Sequence, residues 1–319
     1  MMSHLFVVAP IFTLILAGWI ARRTGALGPA ATREVNRLVV WLALPALLFD
    51  IMAGAEIAEI WQPRFILAFG AGCAAIFAFT LAMRMGQGRG LADSAIDGLN
   101  ASYANTGFMG FPLVLAVVGE TGMGATLVAT ILTVSVLFAV AIVLIECGLQ
   151  AGARPHLVAW RTATSLARNP LLIAPALGAA ALLTGFEPPA PMQRFLDLLG
   201  GAASPCALIA LGLFLAGDGK KDEGAATCGP RTAGGLVALK LIAHPAATWV
   251  IAGPMLGLPA PMVHLAVLLA ALPTGTGPFM LAEFYGREAR LTSRVVLATT
   301  ALSMVTLSLY LALSQGPPV

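Results

Sequence analysis

The stretch Asn105-Thr106-Gly107-Phe108-Met109-Gly110-Phe111-Pro112 lies in the middle of a long apolar segment, residues 95–119, and contains two glycines and a proline. Both residue types are poor helix formers, and proline also lacks the N–H that a helix interior needs. A second stretch of the same character, Ala271-Leu-Pro-Thr-Gly-Thr-Gly-Pro278, interrupts the apolar segment 260–285. The sequence therefore predicts two apolar helices that are broken near their middles.

The composition around these stretches excludes a soluble fold. Of 319 residues, 59% are apolar and only 10% are charged, which is too little charge to cover a soluble surface. Apolar runs of about 18–25 residues, the length that a bilayer requires of a helix, recur along the chain without the two-residue alternation of a barrel. We therefore predict an all-α integral membrane protein with ten transmembrane helices, spanning 4–21, 34–54, 64–84, 95–119, 124–147, 170–186, 195–217, 232–257, 260–285 and 292–313.

The basic residues indicate how these spans are oriented. Fifteen of the 18 lysines and arginines fall in the loops after spans one, three, five, seven and nine, or close to the span ends that flank them. The exceptions are Arg64, Arg194 and Lys240. Because basic loops stay in the cytoplasm, this distribution predicts that both termini lie outside.

The two halves of the chain share features at similar offsets. Gly25 recurs as Gly185 and Pro45 as Pro205, both 160 residues later. We predict two five-helix repeats, residues 1–149 and 170–319, joined by a cytoplasmic linker with an interfacial helix over 150–169. Five is an odd number, so the second repeat is inverted relative to the first. Inverted repeats are typical of secondary transporters that work by alternating access, with the substrate near the membrane midplane.

A broken helix at membrane depth exposes backbone N–H groups and the positive end of a helix dipole, which together favour an anion. Alternatively, glycine and proline at these places only permit kinks and close helix packing. The predicted substrate-binding residues are Asn105, Thr106, Gly107, Thr274, Gly275 and Thr276, and the predicted hinge residues are Pro112, Pro273 and Pro278.

Ionisable residues inside the spans are the second functional signal, since each is costly there. Lys240 and His244 lie one turn apart on the same face of span eight. They predict either a site that attracts an anion or a titrating site coupled to transport by protons or sodium. The alternative for Lys240 is a side chain that snorkels to the interface. Asp50, near the outer end of span two, is a third candidate for protonation.

Motifs of other function classes are absent from the sequence. It contains no P-loop, GxSxG or HExxH motif, so we expect neither an enzyme nor an ATP-driven pump. The four cysteines show no CxxC spacing, and we expect no metal, no cofactor and no nucleic-acid partner.

The two break motifs carry a family resemblance that covers essentially the whole chain. Asn105-Thr-Gly-Phe-Met-Gly-Phe-Pro112-Leu resembles the NT-x-x-M-G-x-P-L segment of the auxin efflux carrier family, which includes plant auxin exporters and bacterial malonate-type permeases. Ala271-Leu-Pro-Thr-Gly-Thr-Gly-Pro-Phe279 is similar to the second motif of that family, ALPxGxxPF.

The resemblance implies a NhaA-like or bile-acid-symporter-like fold in which spans four and nine cross at their breaks, and it implies an organic anion beside Asn105 and Thr106. Ala104 and Asp50 depart from the plant pattern, which has proline and histidine there. We therefore expect a small mono- or dicarboxylate, carried across a prokaryotic inner membrane, rather than auxin. Family members also form homodimers.

Two other functions are compatible with the sequence. One is a sodium-coupled symporter for another organic solute, of the bile-acid type, which would require sodium for uptake. The other is a membrane sensor that binds its ligand without transporting it.

Overall fold

A computed structural model describes residues 2–56, 61–150, 160, 163–217 and 229–314. Within these ranges the regular structure is helical, apart from one isolated antiparallel bridge. The predicted all-α class is therefore confirmed. The helices are α1 Met2–Arg23, α2 Ala31–Ala53, α3 Pro63–Gly86, α4 Leu91–Ser102, α5 Thr106–Val117, α6 Glu120–Leu149, α7 Pro170–Thr184, α8 Ala190–Ala216, α9 Pro230–Met255, α10 Ala260–Ala270, α11 Gly277–Phe284 and α12 Ala289–Ser314.

Several of these helices have the length and apolar character of membrane spans. In the described part of the chain, α2, α3, α6, α8, α9 and α12 are long and apolar enough to cross a bilayer, and α5, α7 and α10 are shorter apolar helices. Large apolar side chains also point outward, among them Leu177, Leu183 and Met255. Lipid tails rather than water would solvate such a surface, as an integral membrane protein requires.

Local sequence explains where α7 begins and ends. The Asn169 side chain accepts a hydrogen bond of 3.0 Å from the Leu171 N–H, and Pro170 occupies the first turn, where its missing N–H is not needed. At the other end Gly185 adopts a φ of +67°, the left-handed conformation that closes many helices.

Glycines let two pairs of helices approach closely, and the two contacts match. A Cβ atom on Gly18 of α1 would overlap the Ile209 carbonyl of α8. A Cβ atom on Gly178 of α7 would lie 2.6 Å from the Phe49 carbonyl of α2. Gly18 and Gly178, like Phe49 and Ile209, are separated by 160 residues. The same backbone contact is therefore made twice, each time between the two halves of the chain.

The predicted linker helix cannot be assessed, because residues 151–159 and 161–162 lie outside the described residues. The boundaries of the two repeats around this linker stay a prediction. The main buried apolar core contains Phe65, Phe69, Leu99 and Phe279, whereas α9 contributes Leu236 and Leu241 to a separate apolar cluster.

Gly178→Ala is expected to lower the stability of the protein by about 1–3 kcal/mol, because the new methyl group would force α7 away from the α2 backbone. Gly234→Ala in α9 is the matched control, since a Cβ atom there meets nothing within 4 Å. Thermal unfolding of the purified protein in detergent measures the difference. Equal melting temperatures for the two variants would contradict the close contact.

Candidate functional site

The two interruptions of helical structure meet each other. Residues 103–105 separate α4 from α5, and residues 271–276 separate α10 from α11. Ala104 and Thr274 form the antiparallel bridge. The Asn105 N–H donates to the Pro273 carbonyl at 2.9 Å, and the Gly275 N–H donates to the Tyr103 carbonyl at 3.1 Å. Each interruption thus satisfies backbone groups of the other, which would otherwise be costly in a membrane interior.

The Tyr103 ring explains why glycine occurs at two positions of the second interruption. A Cβ atom on Gly275 or on Gly277 would lie 2.8 Å from this ring. The ring is buried and also packs against Phe138, with a centroid distance of 5.7 Å. A side chain at either glycine would therefore displace Tyr103 and separate the two interruptions.

A cavity of about 330 Å³ opens beside the bridge. Five of the six predicted substrate-binding residues line it, namely Asn105, Thr106, Gly107, Gly275 and Thr276. The remaining described lining comes from α2, α6, α8 and residues near the interruptions, and is mostly apolar: Leu44, Leu47, Leu48, Ile51, Tyr103, Ala104, Phe108, Phe111, Thr130, Val134, Gly200, Gly201, Ala203, Ser204, Gly277 and Met280. None of these residues is charged.

Unused hydrogen-bonding groups concentrate at the polar end of this cavity. Thr106 is fully buried, and its hydroxyl has no partner in the described structure. It is the first residue of α5, where the leading N–H groups of a helix lack intrahelical acceptors. The α11 helix likewise begins at Gly277, directly after Thr276. Two helix N-termini therefore adjoin one cavity, and the unpartnered Thr106 hydroxyl is buried beside it, an arrangement that suits an anion.

Thr274 and the hinge prolines do not line the cavity. The Thr274 hydroxyl donates to the Asn100 carbonyl at 2.7 Å, and its N–H donates to the Thr299 hydroxyl at 3.1 Å. In this structure Thr274 therefore holds the interruption against α4 and α12. Pro273 supplies the carbonyl that Asn105 binds. Pro112 lies inside α5, just after its π-helical first part, and Pro278 lies in the first turn of α11.

Lys240 and His244 form a buried cluster away from the cavity. Lys240 is fully buried, so the snorkelling alternative is wrong. Its Nζ atom donates to the Ala270 carbonyl at 2.7 Å and lies 3.1 Å from His244 Nδ1. The other ring nitrogen of His244 lies 3.4 Å from the Cys73 sulfur. Since Ala270 ends α10, the lysine stabilises the helix terminus that precedes the second interruption.

Asp50 belongs neither to the cavity lining nor to the hydrogen-bonded cluster of Lys240 and His244. Its carboxylate accepts a hydrogen bond of 2.6 Å from Gln193 of α8, and the same amide nitrogen donates to Asp197 at 2.9 Å. Asp50 does not line the cavity, although its neighbour Ile51 does.

Sequence analysis missed a network of ion pairs around Asp97 of α4. This carboxylate is 1% exposed and lies 2.7 Å from Arg84 Nε and 2.9 Å from Arg89 Nε. Arg89 also pairs with Glu288 at 2.9 Å. An acidic residue inside a predicted span was the available signal, but the sequence does not show that Arg84 and Arg89 turn towards it or that the distant Glu288 joins them.

A neighbouring ion pair joins Asp93 of α4 to Arg287, which lies between α11 and α12. The hydrogen bond from Arg287 to Asp93 raises the pKa of this guanidinium. Together these ion pairs hold the start of α4 against the segment that follows α11.

Comparisons with known proteins agree with the family resemblance of the two break motifs. The family model described as membrane transport protein matches residues 4–311. A Rhizobium meliloti (strain 1021) protein named "Putative malonate transporter" is 33% identical over 315 residues, which cover 98% of this chain and 96% of that protein. "Uncharacterized transporter YfdV" of Escherichia coli (strain K12) is 27% identical over 301 residues, or 93% of this chain and 92% of that protein.

The plant relatives match a shorter part of the chain. Auxin efflux carrier component 1 of Arabidopsis thaliana is 29% identical over 162 residues, which cover 49% of this chain and 25% of that protein.

Asp97→Asn is expected to destabilise the protein by about 3–5 kcal/mol, because it leaves two largely buried arginines without their shared counter-charge. Glu34→Gln is the control. It removes the carboxylate that pairs with the exposed Arg33 and Arg37, and such surface pairs contribute at most about 1 kcal/mol. Thermal unfolding of both variants tests this difference, and a tolerated Asp97→Asn would show that the network is not a structural requirement.

Lys240→Met is expected to cost about 1–3 kcal/mol of stability, since the Ala270 carbonyl and His244 Nδ1 lose a buried partner. Arg64→Met at an exposed site of α3 serves for comparison. If Lys240→Met unfolds at the wild-type temperature or above it, the lysine does not stabilise the end of α10.

Proposed function

Because the chain belongs to the membrane transport protein family, the auxin efflux carrier family that its break motifs resemble, we propose that it is a secondary transporter for a small organic anion in a prokaryotic inner membrane. It is a multi-pass membrane transporter and not an enzyme. We further propose that it works by alternating access and that both termini lie outside.

One observation carries the proposal of an anion. Two helix N-termini adjoin the cavity, the unpartnered Thr106 hydroxyl is buried beside it, and among the described residues no carboxylate lines the cavity to repel a negative charge. The anionic group of the substrate would be held by the Asn105 amide, the Thr106 hydroxyl, the N–H groups that begin α5, and Thr276. The relatives named for malonate and auxin both point to carboxylates.

Repeated geometry supports the proposed architecture of ten spans in two inverted repeats. Residues 103–105 and 273–275, which bond to each other reciprocally, are separated by 170 residues. Glycines with positive φ also occur in matching pairs: Gly25 with Gly185, Gly88 with Gly257, and Gly119 with Gly286. We propose that the two interruptions are crossovers of spans four and nine, and that the unit containing them moves against α1, α2, α7 and α8 during transport.

The buried Lys240 and His244 are proposed as part of this moving unit, through the contact with Ala270. Transport measurements identify the coupling ion as a proton, as sodium or as neither. Asp50, bound to Gln193 at the junction of α2 and α8, is a further candidate for the coupling site.

Flux through proteoliposomes tests the proposal. Purified full-length protein is reconstituted, and uptake of labelled carboxylates is measured with an imposed pH gradient, with an imposed sodium gradient and with neither. Carboxylate flux supports the proposal, and its dependence on a gradient identifies the coupling ion. Binding without flux would instead support the sensor, and sodium-dependent flux of an uncharged solute the bile-acid-type symporter.

Asn105→Ala and Thr106→Val are each expected to weaken binding of a transported carboxylate by about tenfold or more, because each removes a hydrogen bond to a charged group. Thr133→Val is the matched control for Thr106→Val. Thr133 is also fully buried, but its hydroxyl donates to the Ala129 carbonyl of its own helix. Ligand-dependent shifts in melting temperature report the affinities. Unchanged affinity in the two cavity variants would remove these residues from the site.

A further inference from the structure

A chain of hydrogen bonds joins three helix ends on one side of the protein. The Tyr285 hydroxyl donates to the Glu146 carboxylate at 2.8 Å and accepts a hydrogen bond of 3.2 Å from the Asn169 amide. Glu146 lies near the end of α6, Tyr285 directly follows α11, and Asn169 directly precedes α7. Both partners of the hydroxyl are buried. The Tyr285 hydroxyl therefore links α6 and α11 to the start of α7.

The contacts near this tyrosine cross the boundary between the two bodies of the proposed motion. α6 and α11 belong to the unit that contains the interruptions, whereas α2 and α7 belong to the helices against which this unit moves. At the same boundary the Asn36 amide of α2 donates to the Met280 carbonyl of α11 at 3.2 Å. Because hydrogen bonds fail beyond about 3.5 Å, a slide of one body past the other would break both links.

The cavity beside the interruptions lies along a different part of α2. Its α2 lining runs from Leu44 to Ile51, in the second half of this helix, whereas Asn36 lies in the first half. Met280 lies where the two regions meet, since it lines the cavity and its carbonyl binds Asn36. The links therefore lie between the cavity and the side on which α2 and α7 begin. In the proposed orientation this is the cytoplasmic side.

The surroundings of Tyr285 suit a contact that forms and breaks. Its bond to Glu146 lies within the moving unit, so it persists during the motion and keeps the hydroxyl in position. The ring of Tyr285 also meets that of Phe284 edge-on at 5.0 Å. On the other body, the Asn169 side-chain oxygen accepts from the Leu171 N–H at 3.0 Å, which fixes the amide. Both sides of the Tyr285–Asn169 bond are thus held ready to meet again.

We propose, on the basis of the transport function above, that Tyr285 is a latch. Its hydroxyl, held by Glu146, binds Asn169 and keeps the protein closed on the side where α2 and α7 begin. The cavity opens to that side only after this bond breaks.

Distances between spin labels across the boundary test the latch in the full-length protein in proteoliposomes without substrate. The labels are attached to Arg37→Cys in α2 and Leu149→Cys in α6, two exposed positions on this side, after alanine replaces the four native cysteines. Tyr285→Phe is expected to raise the ratio of long to short distances by about tenfold, because the closed arrangement loses a hydrogen bond between the bodies.

Tyr310→Phe is the matched control. The Tyr310 hydroxyl lies 2.9 Å from His264 Nδ1, and this contact joins α12 to α10 within the moving unit. Its loss is therefore expected to leave the label distances unchanged.

Asn169→Ser tests the other partner of the latch. Serine keeps an oxygen that caps α7 but is too short to replace the amide at Tyr285. This variant is expected to shift the distances as Tyr285→Phe does, and the double variant is expected to add little, since both changes break the same bond.

The outcomes separate the latch from the proposed function. Unchanged distances in folded Tyr285→Phe and Asn169→Ser variants would overturn the latch, as would equal shifts in Tyr285→Phe and Tyr310→Phe. Carboxylate flux measured in the same proteoliposomes would leave the transport function standing in either case. The expected shifts without any carboxylate flux would instead contradict the transport function and leave the latch intact.

Discussion

The reciprocal hydrogen bonds between Tyr103–Asn105 and Pro273–Gly275 are the interaction on which the rest of the structure depends. A helix that stops inside a membrane leaves N–H and C=O groups without partners, and lipid offers none. Here each of two interrupted helices supplies partners to the other. Neither interruption could persist alone, so the two must occur together and must lie side by side.

This constraint explains the chemistry of the cavity. Interrupting a helix creates a new N-terminus, and two interruptions that meet direct two such termini into one space. Their N–H groups and the Thr106 hydroxyl are the proposed site for negative charge, to which the described residues contribute no basic side chain that would be costly to bury. The body of the cavity is then free to be apolar, and α2 with its leucines makes it so. One arrangement of backbone thus accounts for both the charge preference and the apolar lining.

Sequence reasoning located the interruptions because several glycines and prolines cluster in the middle of two apolar runs, where they disfavour a continuous helix. It could not separate Thr274 from Thr276, since the alternate side-chain directions of a bridge become visible only when its partner strand is known. Thr274 turns to Asn100 and Thr299, while Thr276 lines the cavity. The apolar wall from Leu44 to Ile51 was equally hidden, because nothing in an apolar helix shows which face a cavity occupies.

For the charged residues too, the sequence showed the neighbours along one helix but not the partners from other helices. Lys240 and His244 were correctly placed on one face of a helix, yet the Ala270 carbonyl that binds the lysine comes from a segment thirty residues away. Asp97 was visible as an acid inside a span, but Arg84, Arg89 and Glu288 surround it only in the folded chain. Periodicity predicts the neighbours along a helix, whereas contacts between helices require the tertiary structure.

The central claim is that the two meeting interruptions form the anion site of a transporter. An experimental structure of the protein with bound 4-bromophenylacetate tests it most directly, since anomalous scattering locates the bromine and the ligand density then orients the carboxylate. The account predicts the carboxylate beside Asn105, Thr106 and Thr276, with the bromine between the α2 leucines and Phe111. A ligand bound outside this cavity, or one with its carboxylate turned toward α2, would contradict the account.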